Sequence, residues 1–269
     1  MVGIRMLQHN LLTFLKGFEG MDDLVINVRE EGLVAAGTLD KAYFIQRLTN
    51  FREGEECVKT GSIAIGQLST FSSLIKECGV GNEEIEITLL ENGKIQVDGT
   101  NVSFTMPSVN TASSQAGVEQ VVKLIEDSAS NGWKHFGSGV LSFMQTFDGQ
   151  AFQKLRNTGK AIQNGALFCL DANTDILTLS VKRDSIRMES HIEPITNEWF
   201  VDLEEEREGV LNWFGKWLMD ALKAMPGNGT VYLHGGTDSP LLIRHESPDG
   251  DFGTTAVIAP RQEEGGASA

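Results

Sequence analysis

Between Asp148 and Gly165 the chain reads DGQAFQKLRNTGKAIQNG, and a helical wheel places Ala151, Leu155, Gly159 and Ile162 on one side of it. The other side gathers Gln153, Arg156, Asn157, Lys160 and Asn164, with Lys154 at its margin. Three further windows sort the same way. Met6 to Phe18 turns Leu7, Leu11, Phe14, Leu15 and Phe18 inward, and His9, Thr13 and Lys16 outward in line with Arg5. Gln67 to Cys78 sends Phe71, Leu74, Ile75 and Cys78 inward and Ser69, Ser72, Ser73 and Lys76 outward. Gly209 to Met225 buries Leu211, Phe214, Trp217, Leu218, Ala221 and Met225 while Asn212, Lys216, Asp220 and Lys223 project. Cations, amides and hydroxyls so arranged bind phosphate oxygens and in that role read no base sequence. The ligand they imply is duplex backbone, without sequence preference.

Other chemistries leave no comparable trace. His9, His135, His191, His234 and His245 form no HExxH and no close pair, and Cys57, Cys78 and Cys169 form no CxxC. Neither a metal site nor a disulfide framework is expected from them. The sequence has no GxSxG, no GxxxxGK[ST] and no strand-to-helix GxGxxG, the common signals of hydrolases, nucleotide binders and dinucleotide binders.

Charge makes the helical cations informative. The chain has 37 acidic and 22 basic residues, a net charge of -15, so its long-range field repels polyanions and any nucleic-acid contact must be local. The acids collect in expected strands and turns, at Glu30, Glu31, Glu83, Glu84, Glu86, Asp202 and Glu204 to Glu206. A solvated surface explains one cationic helix face. Four that agree in sign against the charge of the whole chain point to a shared ligand.

The elements around these helices repeat. Alternating segments predict antiparallel strands from Asp23 to Leu48, followed by the helix at 67–78 and three strands that end at Pro107, with Asn92-Gly93 as a turn. Residues 108–117 read as a linker and 118–130 as a short amphipathic helix. A strand at 139–147, the helix at 148–164, four strands, the helix at 209–225 and three strands ending at Pro260 repeat the order. An internal duplication is the economical explanation. The expected fold class is α+β, two similar domains each with an antiparallel sheet backed by two helices. The expected divisions are 1–107, a connector at 108–138, 139–261, and a frayed tail at 262–269. No apolar run spans a bilayer and MVGIRMLQHN lacks the apolar stretch of a secretory signal, so a soluble, cytoplasmic protein is expected.

Several segments carry a family resemblance. SPLLIRHESPDGDFGTTAVIAPR, with its Ile258-Ala259-Pro260-Arg261 ending, resembles the C-terminal part of DNA polymerase sliding clamps, the PCNA-like family. LMDALKAMPGNGTVYLHG and IAIGQLSTFSSLI with the NGKIQVDG hairpin are similar to clamps of tailed bacteriophages. Residues 111–139 depart from the pattern, because an extended connector there is replaced by helical spacing.

The resemblance implies a DNA-clamp fold that forms a ring of three copies around duplex DNA and acts as a processivity factor for a replicative polymerase. It implies no catalysis, cofactor or metal, and a host cytoplasm if the protein is phage-encoded. With no P-loop in the sequence, an ATP-dependent clamp loader would be a separate partner. The DNA-binding set is then Arg5, His9, Lys16, Lys76, Gln153, Lys154, Arg156, Asn157, Lys160, Lys216 and Lys223. Family clients insert an apolar and aromatic motif beneath the connector, and the matching positions are Leu39, Tyr43, Val118, Val121, Pro240, Leu242, Ile258 and Pro260. A clamp acting in transcription or repair, and an α+β enzyme with a site assembled from dispersed residues, are the alternatives.

Overall fold

The first residues alternate inward and outward as a strand, not as the start of a helix. In the computed structural model, which describes residues 1–39, 42–110, 112–161, 167–172, 175–183, 185–200, 211–212, 215–236 and 239–259, they form β1 (Val2–Leu7). The helix expected from Met6 therefore begins at Gln8, as α1 (Gln8–Leu15), and runs into a 3-10 turn, Lys16–Phe18. There follow β2 (Leu24–Val28), β3 (Gly32–Leu39), β4 (Tyr43–Asn50), β5 (Glu56–Lys59) and β6 (Gly61–Ile65). Then come α2 (Leu68–Cys78), β7 (Glu84–Leu89), β8 (Lys94–Asp98) and β9 (Ser103–Pro107).

The connector is a helix for most of its length. α3 (Ala112–Ser130) takes in residues 112–117, where a linker was expected, and a short hairpin, β10 (His135–Phe136) and β11 (Gly139–Val140), follows it. Ala112, Gln115 and Ala116 are good helix formers, and once Val118 starts the amphipathic pattern the helix extends back through them.

The order then repeats. It runs through β12 (Phe143–Asp148), α4 (Gly149–Ala161), β13 (Leu167–Ala172), β14 (Leu177–Arg183), β15 (Ile186–Ile192), β16 (Thr196–Trp199) and β17 (Leu211–Asn212). It closes with α5 (Gly215–Ala224), β18 (Thr230–Gly235), β19 (Leu241–Glu246) and β20 (Phe252–Ile258). The helix expected from Gly209 is shorter, because Leu211 and Asn212 pair with Leu170 and Cys169 as a strand.

Strand order carries the duplication further than sequence does. In the first repeat the orders are β5-β1-β7-β8-β9 and β4-β3-β2-β6; in the second they are β16-β12-β18-β19-β20 and β15-β14-β13-β17. Each strand of one set has its counterpart, in chain order, in the other. Each repeat thus has two sheets where one was expected, and the strand pairings among the described residues of each repeat are antiparallel.

Packing defines two units. The first comprises Met1–Leu39, Phe44–Lys123 and Glu246–Thr255; the second comprises Leu124–His245, Tyr43 and the end of β20 from Ala256. In the first, Phe14 meets Phe18 edge-on at 5.9 Å, which ties α1 to the 3-10 turn, and Phe71 meets Phe104 of β9 at 6.1 Å, which seats α2 on that strand's sheet. In the second, Phe147 packs on Phe152 at 5.9 Å, and Leu155 and Leu218 are fully buried. The inward face of α4 is therefore built on Phe152 and Leu155, a step round the wheel from the side marked by Ala151.

Candidate nucleic-acid interface

In the first unit α1 and α2 lie side by side, and between them runs a groove of about 620 Å³. Thr13, Lys16, Ser69, Ser72, Ser73 and Lys76 line it, with Leu12 and Leu15 on its floor. Lys16 and Lys76 are exposed and make no ion pair among the described residues. The groove offers two ammonium groups and four hydroxyls, donors matched to phosphate oxygens. Glu19 is the acid in its lining. His9, half-exposed on α1, holds Gly81 O through Nδ1 at 3.0 Å, which leaves Nε2 as the ring nitrogen turned to other partners.

In the second unit α4 and α5 pack together, and their cations are more restrained. Arg156 Nη2 donates to Gln153 Oε1 at 2.7 Å, and Gln153 lies across the turn after α5, where a Cβ on Gly227 would fall 1.8 Å from its amide nitrogen. Lys223 pairs with Asp220 at 3.5 Å, and Lys216 Nζ sits 4.2 Å from the centroid of the Trp217 ring. Lys154 and Asn157 are exposed. Lys160 belongs to α4, and its side chain lies outside the described residues. Across α2, α4, α5 and the 3-10 turn, the acids are Glu77 and Asp220 alone.

Arg5 stands apart. It belongs to β1, where the register sets it opposite both Glu56 and Glu86, and its guanidinium bonds them at 2.6 and 3.2 Å. The hydrogen bond it donates to Glu86 and the charge of Glu56 raise its pKa above the ordinary arginine value. The wheel grouped it with His9 and Lys16 because the helix was taken to start too early.

The positions matched to a client pocket divide by burial. Tyr43 is 3% exposed and stacks on Trp217 at 5.9 Å, and Leu242 and Ile258 are fully buried, so these three are core residues and not an open wall. Strands with buried faces on both sides leave their apolar residues nothing to present. Leu39, Val118 and Val121 in the first unit and Pro240 in the second are half-exposed. Pro260 lies outside the described residues.

Two buried side chains that set this geometry carry no sequence signal of their own. Gln8 is 4% exposed; its Nε2 donates to the carbonyls of Ile75, Lys76 and Gly79 at 2.8, 3.1 and 2.8 Å. Its Oε1 accepts Gly81 N at 2.9 Å. One side chain thus caps the end of α2 and ties it to the start of α1. In the second unit His234 is fully buried, with the Trp133 ring at 5.4 Å and Arg244 Nη1 at 3.5 Å. Burial, and then the charge of Arg244, push its pKa down to about 3. Arg244 lies 3.9 Å from the Trp133 centroid and 4.9 Å from that of Tyr232, which fastens the segment after α3 onto β18 and β19. No described group of three or more His, Cys, Asp or Glu could hold a metal ion, and no described helix is long and apolar enough to cross a membrane.

No family model matches the chain, and no curated protein matches it. Solved structures do. A chain from the structure of the C-terminal region of FEN-1 bound to A. fulgidus PCNA aligns with a TM-score of 0.69 at 16% identity, over 98% of this chain and 100% of that one. PCNA from Thermococcus kodakaraensis aligns at 0.69 and 13%, over 97% and 100%. A chain of the PCNA2-PCNA3 complex from Sulfolobus tokodaii aligns at 0.69 and 16%, over 97% and 100%. The fold is that of the PCNA-like sliding clamps. At these identities the likeness is one of backbone path, and it extends over both repeats.

Proposed function

We propose that this protein is a DNA sliding clamp, without catalysis of its own, that encircles duplex DNA and tethers a replicative polymerase as a processivity factor. The observation that carries the reading is the charge distribution within a PCNA-like fold. α2, α4, α5 and the 3-10 turn after α1 carry Lys16, Lys76, Lys154, Arg156, Lys160, Lys216 and Lys223 against only Glu77 and Asp220, while Glu30, Glu31, Glu83, Glu84 and Glu86 sit in strands and turns. Such a face attracts the phosphate backbone through local donors and, on a body of net charge -15, cannot bind it tightly. A ring that holds DNA by topology needs weak contacts, since a tight one would stall.

The proposed assembly is a homotrimer closed head to tail, with helices toward the DNA. β9 and β15 each end a sheet, and pairing such edges between copies would leave no free edge at the joints. The proposed partners are a polymerase, an ATP-dependent loader and the DNA backbone, all in the cytoplasm. The binding of a FEN-1 segment to A. fulgidus PCNA supports a peptide mode for protein clients.

The test is direct. Particle images and mass in solution should give a six-lobed ring of three copies, and a stable monomer at micromolar concentration would sink the proposal. Replacing Arg156, Lys160, Lys216 and Lys223 by Ala should weaken processive synthesis and leave the trimer intact. Unchanged synthesis would mean that another surface faces the DNA.

A further inference from the structure

Beneath the 3-10 turn that carries Lys16, the first unit holds a buried arginine. Arg47, on β4, is 3% exposed, and its Nη1 donates to the carbonyls of Thr13 and Phe14 at 2.6 and 3.1 Å. Its guanidinium lies 5.1 Å from the centroid of the Phe252 ring. A Cβ on Gly17 would stand 2.0 Å from Arg47 Nε and 2.3 Å from Cζ, so the guanidinium fills the space directly under the turn and would have to move aside for any side chain there.

Thr13 and Phe14 belong to the last turn of α1, where carbonyls lack helical partners and carry the negative end of the helix dipole. That end borders the groove lined by Thr13, Lys16 and Lys76. Without a cation beneath it, the carbonyl end would oppose an approaching phosphate and loosen the turn from which Lys16 projects. Arg47 meets both needs from the interior, where it cannot itself touch the ligand.

We infer that Arg47 is a positioning residue for the groove between α1 and α2, which fixes the turn that presents Lys16 and offsets the helix-end dipole there. The inference rests on the proposal that this groove receives the duplex backbone. It concerns a residue that makes no phosphate contact, so its signature is coupling to Lys16.

The experiment measures binding of a duplex oligonucleotide by fluorescence anisotropy across a salt series, for wild type, K16A, R47M and K16A/R47M, with mass in solution as a control. Each phosphate contact contributes about 0.9 to the slope of log K against log salt. R47M is expected to lower the slope by as much as K16A, and the double variant to lower it no further than K16A alone. If R47M does not fold, G17A replaces it, because the added methyl must displace the guanidinium while the charge stays in the protein. A wild-type slope in R47M or G17A, beside a lowered slope in K16A, overturns the role of Arg47 alone. A wild-type slope in K16A and in K16A/K76A overturns the phosphate groove, and the inference with it.

Discussion

His234 should make the protein acid-sensitive well above the range in which carboxylates titrate. Its pKa falls from 6.5 to about 3 on folding, chiefly because the ring is buried and then because Arg244 stands beside it. The unfolded chain therefore takes up a proton below pH 6.5 that the folded chain refuses. The associated stability is whole above 6.5 and drains away as the pH falls toward 3. Between pH 7 and pH 5 the linkage amounts to about 2 kcal/mol, a sizeable part of a total of about 5–15 kcal/mol. The assay is urea unfolding of wild type and H234Q at both pH values. The glutamine removes the titration whatever it does to packing, so the quantity read is the pH-dependent loss in wild type minus that in the variant. The expected difference is about 2 kcal/mol. Equal losses in the two proteins would refute the account of His234 as a buried neutral ring.

Gln8→Ala should destabilise the first unit by roughly 2–4 kcal/mol, since it strips the cap from three carbonyls and the acceptor from Gly81 N, and urea unfolding would register it. Tyr43→Ala should cost about 3–5 kcal/mol by emptying a buried site against Trp217; a variant of wild-type stability would show that Tyr43 stands open. Arg5→Ala should leave stability close to that of the wild type, because the pairs with Glu56 and Glu86 are half-exposed and screened by solvent, and it should leave the salt slope of DNA binding unchanged. A lowered slope would return Arg5 to the DNA face.

The sequence made the duplication legible because it resides in periodicity: two helical windows per repeat, each followed by strands, with a proline closing the last strand, survive the loss of residue identity. It also made legible which helices carry cations, since outward lysines at helical spacing need no knowledge of packing. It could not show β1, because VGIRML is too short to separate from the helix that follows, and that error carried Arg5 onto the wrong element. Nor could it separate Leu242 and Ile258, fully buried, from half-exposed Pro240, because a strand's period does not say whether a second layer covers its outer face. Gln8 and Arg47 were invisible for another reason. Each acts on the end of a helix distant in sequence, and no local pattern announces a partner 67 or 33 residues away.

The repeats share a path and differ in how they hold their charges. Lys16 and Lys76 stand free in a hydroxyl-lined groove, whereas Arg156 is bonded to Gln153, Lys223 to Asp220, and Lys216 lies on Trp217. A restrained cation loses less side-chain entropy on meeting a phosphate, and one paired with a carboxylate must first give up its partner. The first unit thus offers Lys16 and Lys76 uncommitted, and in the second Arg156, Lys216 and Lys223 are already engaged while Lys154 is exposed. Both arrangements keep each contact weak. Weak contacts are what the proposed sliding ring would need from these helices, and the two repeats would supply them by different means.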